Sequence, residues 1–341
     1  MMQQRGDVEA DFDPRRLRVG TALMLMLAYG ASVGGLLTPP VGSPPNLIGR
    51  GLIEEATGER ISFGQWMVMA VPICVLMFVL LAFTLLRLNR PEIKRIDGVA
   101  EYVASEREKL GKLSRAEKNT LIAFGITVTL WILPGVVALI AGTESSAYEF
   151  VSDRLDEGVV AVFGASLLFL LPTDWAPASS PCAGRTPPKS TGGTIILFGT
   201  GIIFGSLISS TGLAETIGTS VNDALGLSSV VPITIFAVIL AIVVSETTSN
   251  TASAAVVVPI VIPVAVAAGV NPFVPALAAT FAASFGFMLP VSTPQNAIVY
   301  GSGVVPITKM IRSGITFDIA GGAILIIIFL PLMISLLGLG S

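Results

Sequence analysis

Residues 290–301 read Pro-Val-Ser-Thr-Pro-Gln-Asn-Ala-Ile-Val-Tyr-Gly, and residues 40–51 read Pro-Val-Gly-Ser-Pro-Pro-Asn-Leu-Ile-Gly-Arg-Gly. At a constant offset of 250 positions, six of the twelve residues are identical, including a proline and an asparagine near the middle. Each copy ends an apolar stretch, where its prolines should interrupt a helix because proline lacks a backbone N–H. A helix break that recurs in both halves of a membrane protein is a strong sequence indication of a binding site. We therefore expect two broken helices that meet at one site.

The composition is typical of a membrane protein. Hydrophobic residues make up 52% of the sequence, charged residues only 13%, and the mean hydropathy is +0.81. Soluble domains carry about 25% charged residues. Apolar runs of roughly 17–25 residues, the length that crosses a bilayer as a helix, recur along the sequence. The predicted spans are 19–38, 64–88, 119–141, 157–172, 193–212, 229–245, 252–268, 272–290 and 314–338. We therefore expect an all-α, polytopic helical membrane protein.

Basic residues are concentrated in two segments. Of the twenty Lys and Arg residues, four lie within residues 1–18 and nine lie within residues 87–118. The positive-inside rule places both segments in the cytoplasm of a protein in the plasma membrane. We divide the sequence into a cytoplasmic lead-in, the remainder of a first repeat, a charged cytoplasmic linker and a second repeat, which cover residues 1–18, 19–88, 89–118 and 119–341.

The two helix breaks are predicted to face opposite ways. The span after the first break, 64–88, ends in the basic linker and therefore runs from outside to inside. The span after the second break, 314–338, is preceded by Lys309 and Arg312 and therefore runs from inside to outside. This arrangement is typical of an inverted-topology repeat.

A polar segment, Ser245-Glu-Thr-Thr-Ser-Asn-Thr-Ala-Ser-Ala254, lies between two apolar runs about forty residues before the second break. Its hydroxyl and amide oxygens suit a sodium ion, while the N–H groups of a helix start suit an anion. One interpretation is a plain helix start capped by Ser249 or Asn250. The other, which the matched break nearby favours, is an ion-binding hairpin tip. We expect Glu246 to pair with a basic residue or attract a cation, and Asp318 to lie at the membrane interface.

Two further features concern the integrity of the sequence. Subtracting 250 from Asn250 gives position zero, so the first copy of the polar segment is expected upstream of Met1. We therefore expect that an N-terminal portion of the transporter is missing from this sequence. Residues 174–192 contain four prolines, and we interpret them either as an ordinary extramembrane loop or as a short frame-shifted stretch.

The residues around the second break resemble a known signature. Residues 283–299 read Ala-Ser-Phe-Gly-Phe-Met-Leu-Pro-Val-Ser-Thr-Pro-Gln-Asn-Ala-Ile-Val, which is similar to the signature of the divalent anion:sodium symporters, the sodium-coupled sulfate and dicarboxylate carriers. The Ser249-Asn250-Thr251 triplet resembles the hairpin motif of that family, and residues 32–46 resemble its first break. The similarity covers most of residues 15–340. Gln295 departs from it, since a second proline is common there, and residues 174–192 depart as well.

The resemblance implies an elevator-type transporter with inverted repeats, a re-entrant hairpin and broken helices, usually a homodimer. It implies a sodium site formed by Ser245, Ser249, Asn250 and Ser292, and a second one that uses Gly42 with residues of the missing first hairpin. It implies that the substrate is bound by Ser43, Pro44, Ser249, Asn250, Thr251, Thr293 and Pro294. From the residues themselves, we expect the amides of Asn46 and Asn296 to support the breaks by bonding freed carbonyls.

These observations predict sodium-coupled secondary transport of a small divalent anion, a C4-dicarboxylate ahead of sulfate. Sodium is the expected coupling ion, with no organic cofactor, no other metal and no nucleic-acid partner. One alternative is a non-transporting fragment, or half of a split transporter that needs a separate chain to supply the N-terminal half. Another is an anion permease without sodium coupling. An enzyme is not expected, because the sequence has no histidine, no metal-ligand cluster and no nucleophile–base pair.

Overall fold

The computed structural model describes residues 17–37, 42–90, 98–142, 145–172, 200, 203, 207 and 211–336. All regular secondary structure within these residues is helical, so the predicted all-α class is confirmed. The proline-rich segment 174–192 and most of the predicted span 193–212 lie outside the described residues. Both interpretations of that segment therefore stay predictions.

The described residues contain fourteen α-helices. In chain order they are α1 (Arg18–Gly35), α2 (Pro44–Thr57), α3 (Phe63–Leu88), α4 (Val99–Leu110), α5 (Arg115–Ala141), α6 (Ser146–Arg154), α7 (Glu157–Leu170), α8 (Leu213–Leu225), α9 (Val230–Thr247), α10 (Asn250–Ala267), α11 (Phe273–Ala282), α12 (Pro294–Gly301), α13 (Ile307–Ile324) and α14 (Leu330–Leu336). A π-helical turn, Leu325–Phe329, joins the last two helices, so that they form one continuous rod.

Five of the described helical segments are long and apolar enough to cross a bilayer: Phe63–Leu88, Arg115–Ala138, Val230–Thr247, Asn250–Ala267 and Ile307–Met333. The chain is therefore a polytopic membrane protein, as predicted.

Two predicted span boundaries were wrong. Helix α11 ends at Ala282 rather than at residue 290, because the chain unwinds from Ala283 onwards. The last span begins at Ile307 rather than at residue 314. Its first turns carry Lys309 and Arg312, and these charged residues interrupt the apolar pattern from which the span was predicted.

The described residues cluster into two compact units. The larger unit contains α1, α2, most of α3 and the helices from α8 to α14, while the smaller unit contains α4 to α7 and the first turns of α3. The predicted division into a lead-in, two repeats and a linker is based on the sequence repeat and the clusters of basic residues rather than on contacts, and it stays a prediction.

The smaller unit has an aromatic core of its own. The ring of Phe63 stacks on Trp131 with the ring centroids 6.0 Å apart, and Val160 of α7 completes the cluster. Glu157 joins the elements, because its Oε1 accepts a hydrogen bond of 2.9 Å from the Phe63 N–H and its carbonyl accepts one of 3.1 Å from Trp131 Nε1. The candidate site lies entirely in the larger unit.

The core of the larger unit is formed by helices packed around the hairpin. Helices α9 and α10 are joined only by Thr248 and Ser249 and pack against each other. Helix α11 packs against both, and α2 packs against α10 and α11. The approach of α2 to α11 is close at Gly49, because a Cβ atom at this position would overlap the side chain of Thr280. The short helix α2 is thus fixed against the second repeat.

Replacing Gly49 with alanine is expected to lower the free energy of unfolding by about 1–2 kcal/mol, because overpacking forces neighbouring side chains from their rotamers. Denaturation of the purified protein in detergent measures the change. Gly51→Ala is the matched control, since no described residue lies within 4 Å of its added methyl group on the same helix. Equal stability of the two variants would contradict the close approach.

Candidate functional site

Three helices of the larger unit begin at one cavity of about 520 Å³. They are α2, α10 and α12, whose N-cap residues are Ser43, Ser249 and Thr293. All three caps have extended backbone angles and all three line the cavity. Since the N-terminus of a helix carries a partial positive charge, the cavity receives three such ends. The part of its lining that the structure describes contains no charged side chain.

The hairpin tip combines a helix cap with a buried amide. The Ser249 Oγ accepts a hydrogen bond of 3.2 Å from the Ala252 N–H, so Ser249 caps α10. The next residue, Asn250, is 9% exposed, and its Nδ2 donates to the Ser284 carbonyl at 3.0 Å. Its N–H donates to the carbonyl of Ser292 at 3.2 Å. The segment is therefore both a capped helix start and a connection between the hairpin and the second break.

An oxygen cluster lies beneath the cavity and is formed by Ser245 Oγ, Asn250 Oδ1 and the Ala283 carbonyl oxygen. The Ser245 Oγ lies 2.8 Å from Asn250 Oδ1 and 2.7 Å from the Ala283 oxygen. A hydroxyl has a single proton, so it satisfies only one of these two acceptors at a time. The oxygen cluster is therefore rich in lone pairs, as a hard monovalent cation requires.

Gly286 lies against the oxygen cluster. A Cβ atom built on Gly286 would lie 2.5 Å from Asn250 Oδ1, 2.8 Å from Ser292 Cβ and 3.0 Å from Ser245 Oγ. Real Cβ atoms do not make contacts this short, so only glycine allows the backbone to pass here.

The second break is an unwound segment, residues 283–293, between α11 and α12. The Nδ2 of Asn296 donates to the carbonyls of Gly286 at 2.8 Å and Leu289 at 3.1 Å. The Thr293 Oγ1 accepts a bond of 3.1 Å from the Asn296 N–H and so caps α12. Carbonyls freed by the break thus receive their donors from Asn296, in the first turn of α12.

The first break repeats this chemistry in simpler form. The Nδ2 of Asn46, at the position equivalent to Asn296, donates to the Gly35 carbonyl at the end of α1 over 3.0 Å. Helix α2 begins with Pro44 and Pro45, neither of which has an N–H to offer. The hydroxyl of Ser43 makes no capping bond. The sequence repeat is therefore also a repeat of local hydrogen bonding.

The structure brings most of the predicted site residues together. Nine of them line the cavity: Gly42, Ser43, Pro44, Ser249, Asn250, Thr251, Ser292, Thr293 and Pro294. Ser245, Asn46 and Asn296 lie buried behind this lining. Sequence reasoning missed the Ala283 carbonyl and Gly286, although both belong to the quoted signature. Glycine at 286, within an otherwise bulky Phe-Gly-Phe run, was the available signal.

Two acidic side chains are buried behind the oxygen cluster. Asp318 is 3% exposed and lies beside Glu246, so it packs inside the protein, and its place at the membrane interface stays a prediction. Glu246 is also 3% exposed; its Oε1 accepts a bond of 2.8 Å from the Met288 N–H. Its Oε2 lies 3.4 Å from the Ser292 Oγ. Glu246 thus binds the unwound segment.

A helical membrane protein in which two broken helices and a polar hairpin tip meet at one cavity has the architecture of a secondary transporter. The chain belongs to the sodium:sulfate symporter family, since residues 5–338 match the model of the family described as "Sodium:sulfate symporter transmembrane region". The predicted family is therefore confirmed.

Among similar proteins are two named "Sodium-dependent dicarboxylate transporter SdcS". The protein from Staphylococcus saprophyticus is 32% identical over 332 residues, which cover 93% of this chain and 60% of the relative. The protein from Staphylococcus aureus strain MRSA252 is 31% identical over 332 residues with the same coverage. The chain thus spans about 60% of the length of these relatives.

Proposed function

We propose that this chain forms the binding site of a sodium-coupled secondary transporter for a small divalent anion, with a C4-dicarboxylate ahead of sulfate. The observation that supports it best is the convergence of three helix N-termini on a cavity directly above the oxygen cluster. The names of the SdcS relatives, sodium-dependent dicarboxylate transporters, agree with this proposal.

The anion is bound by hydroxyl donors and helix ends. The oxygens of Ser249 and Thr293 accept capping bonds from backbone N–H groups, which leaves the hydroxyl protons free to donate to a carboxylate. In α2 the first two helical residues are prolines, so the contribution of this helix to hydrogen bonding comes from the Ser43 hydroxyl. Pro44, Pro294 and Thr251 complete the contact surface.

Sodium is bound by the oxygen cluster, together with Ser249 and Ser292. Asn250 belongs to both sites, because its side chain lines the cavity and its Oδ1 belongs to the oxygen cluster. A cation in the cluster therefore attracts a dianion in the cavity over a short distance, and each ligand raises the affinity for the other equally. This coupling explains how the cavity can bind an anion without an arginine or lysine.

The remaining features of the proposal come from the family resemblance. A second sodium site includes Gly42, and residues of a first hairpin complete it. The protein is a homodimer in the plasma membrane and operates by an elevator movement. The cytoplasmic location of its N-terminus and of the 89–118 linker is inferred instead from the positive-inside rule. The competing arrangement is one in which a separate chain supplies the N-terminal half.

The test is sodium-dependent uptake by the complete gene product in vesicles, with succinate and sulfate offered in sodium or choline buffer. We expect Asn250→Ala and Thr293→Ala each to lower uptake at limiting substrate at least about tenfold, since each removes a buried polar contact. Thr247→Ala is the matched control, because its exposed hydroxyl bonds only to its own helix. Wild-type uptake in both site variants would contradict the site assignment, and equal uptake in choline would favour a permease.

A further inference from the structure

The peptide group between Phe287 and Met288 is held from both ends by buried side chains. Its carbonyl accepts a hydrogen bond of 2.7 Å from the Tyr29 hydroxyl. Its N–H donates to Glu246 Oε1 at 2.8 Å. Tyr29 is fully buried on α1, and Glu246 is buried at the end of α9. Two helices distant in sequence thus hold the two ends of one peptide group.

Helix α13 holds the same peptide group on a third side. A Cβ atom on Gly314 would lie 2.5 Å from the Met288 N and Cα atoms and 2.6 Å from the Phe287 carbonyl carbon. The ring of Phe287 packs edge-on against Phe317 and tilted against Tyr29, with centroid distances of 4.7 and 4.9 Å. The peptide group therefore cannot shift without breaking buried hydrogen bonds or ring contacts.

The position of this peptide group determines the geometry of the sodium site. Gly286, which lies against the oxygen cluster, is the residue immediately before it. Glu246 also places its second oxygen 3.4 Å from the Ser292 hydroxyl, at the other end of the unwound segment. Since residues 283–293 form no helix, these side-chain bonds replace the helical hydrogen bonds that would otherwise fix the backbone.

We propose that Tyr29 and Glu246 are positioning residues for sodium binding, which act by fixing the Phe287–Met288 peptide group and, through it, Gly286 and Ser292. The proposal rests on the proposed function, because it assumes that the oxygen cluster binds sodium. It assigns Glu246 a role through the backbone rather than as a ligand of the ion. It also connects the helix before the first break with the second break, since Tyr29 belongs to α1.

Sodium titration of uptake by the complete gene product tests the proposal. We expect Tyr29→Phe and Glu246→Ala each to raise the sodium concentration for half-maximal uptake about tenfold, the factor that one lost buried hydrogen bond produces. The maximal rate should stay within about twofold, and the double variant should lose less than the product of the single losses, because both act on one peptide group. Tyr300→Phe and Glu55→Ala, which alter exposed residues, are matched controls.

Glu246→Gln separates positioning from direct binding of the ion. The glutamine amide oxygen can still accept the Met288 N–H, so a positioning role predicts sodium affinity close to that of the wild type. A glutamine variant as impaired as the alanine variant would show that the charge itself binds sodium, and would overturn the proposal for Glu246. If the losses of sodium affinity in Tyr29→Phe and Glu246→Ala were fully additive in free energy, this would overturn the proposal that both residues act on one peptide group.

Hydrogen exchange of residues 283–293 without sodium provides an independent measurement. We expect the Met288 amide to exchange faster in both Tyr29→Phe and Glu246→Ala, because each variant frees one end of the peptide group. Faster exchange in variants of a protein that shows no sodium response would support the role of Tyr29 and Glu246 in holding the peptide group and would contradict the proposed function. Unchanged exchange in variants of a sodium-responsive protein would overturn only this positioning role.

Discussion

Gly286→Ala is expected to weaken sodium binding by roughly tenfold to a hundredfold, the range that corresponds to about 1–3 kcal/mol of overpacking. The added methyl group would lie 2.5 Å from Asn250 Oδ1 and 2.8 Å from Ser292 Cβ. Relief of these contacts requires the oxygen cluster to open, and a widened cluster binds a small cation less well. Sodium-dependent stabilisation of the purified protein against heat measures the affinity.

The matched control for this variant is Gly301→Ala. Gly301 belongs to α12, close in sequence to the cavity, and an added methyl group there has no neighbour within 4 Å among the residues that the structure describes. We expect its sodium response to equal that of the wild type. A Gly286→Ala protein that responds to sodium as the wild type does would contradict both the tight geometry and the location of the sodium site.

Asn296→Ala is expected to lower the free energy of unfolding by about 2–4 kcal/mol, since it leaves one buried and one partly buried carbonyl group without their donor. Its Nδ2 bonds the carbonyls of Gly286 and Leu289. Asn46→Ala, which removes one such bond to Gly35, should cost about half as much. Denaturant titration in detergent compares the two variants. An Asn46→Ala loss equal to or larger than the Asn296→Ala loss would contradict this ranking.

The positions of the breaks could be predicted because their causes are visible in the side chains. Pro44 and Pro294 remove backbone donors, and Asn46 and Asn296 carry amides that can bond freed carbonyls. Five of the nine membrane spans could be predicted as well, because length and hydropathy decide whether a helix crosses a bilayer. Ser249, Asn250 and Thr251 stood out since polar residues between two apolar runs need partners.

The rest depends on contacts between distant segments. The unwinding at Ala283 could not be predicted, because Ala-Ser-Phe-Gly-Phe is apolar enough to extend a helix, and its carbonyls receive donors only after folding. The Ala283 carbonyl is a main-chain atom, which a sequence does not distinguish from any other. The burial of Asp318 follows from the helix packing around it, whereas its place near the start of a predicted span indicated an interface.

Because no charged side chain lies in the described lining of the cavity, a bound dianion has no permanent countercharge there. An arginine would retain its carboxylate whatever the sodium concentration, through charge-assisted bonds. Under the proposed function, the residence time of the anion would depend instead on the cation beside it. Sodium would dissociate first on the side of the membrane where it is scarce, and its departure would release the anion. In such a transporter the sodium gradient would set the order of unloading as well as the energy of uptake.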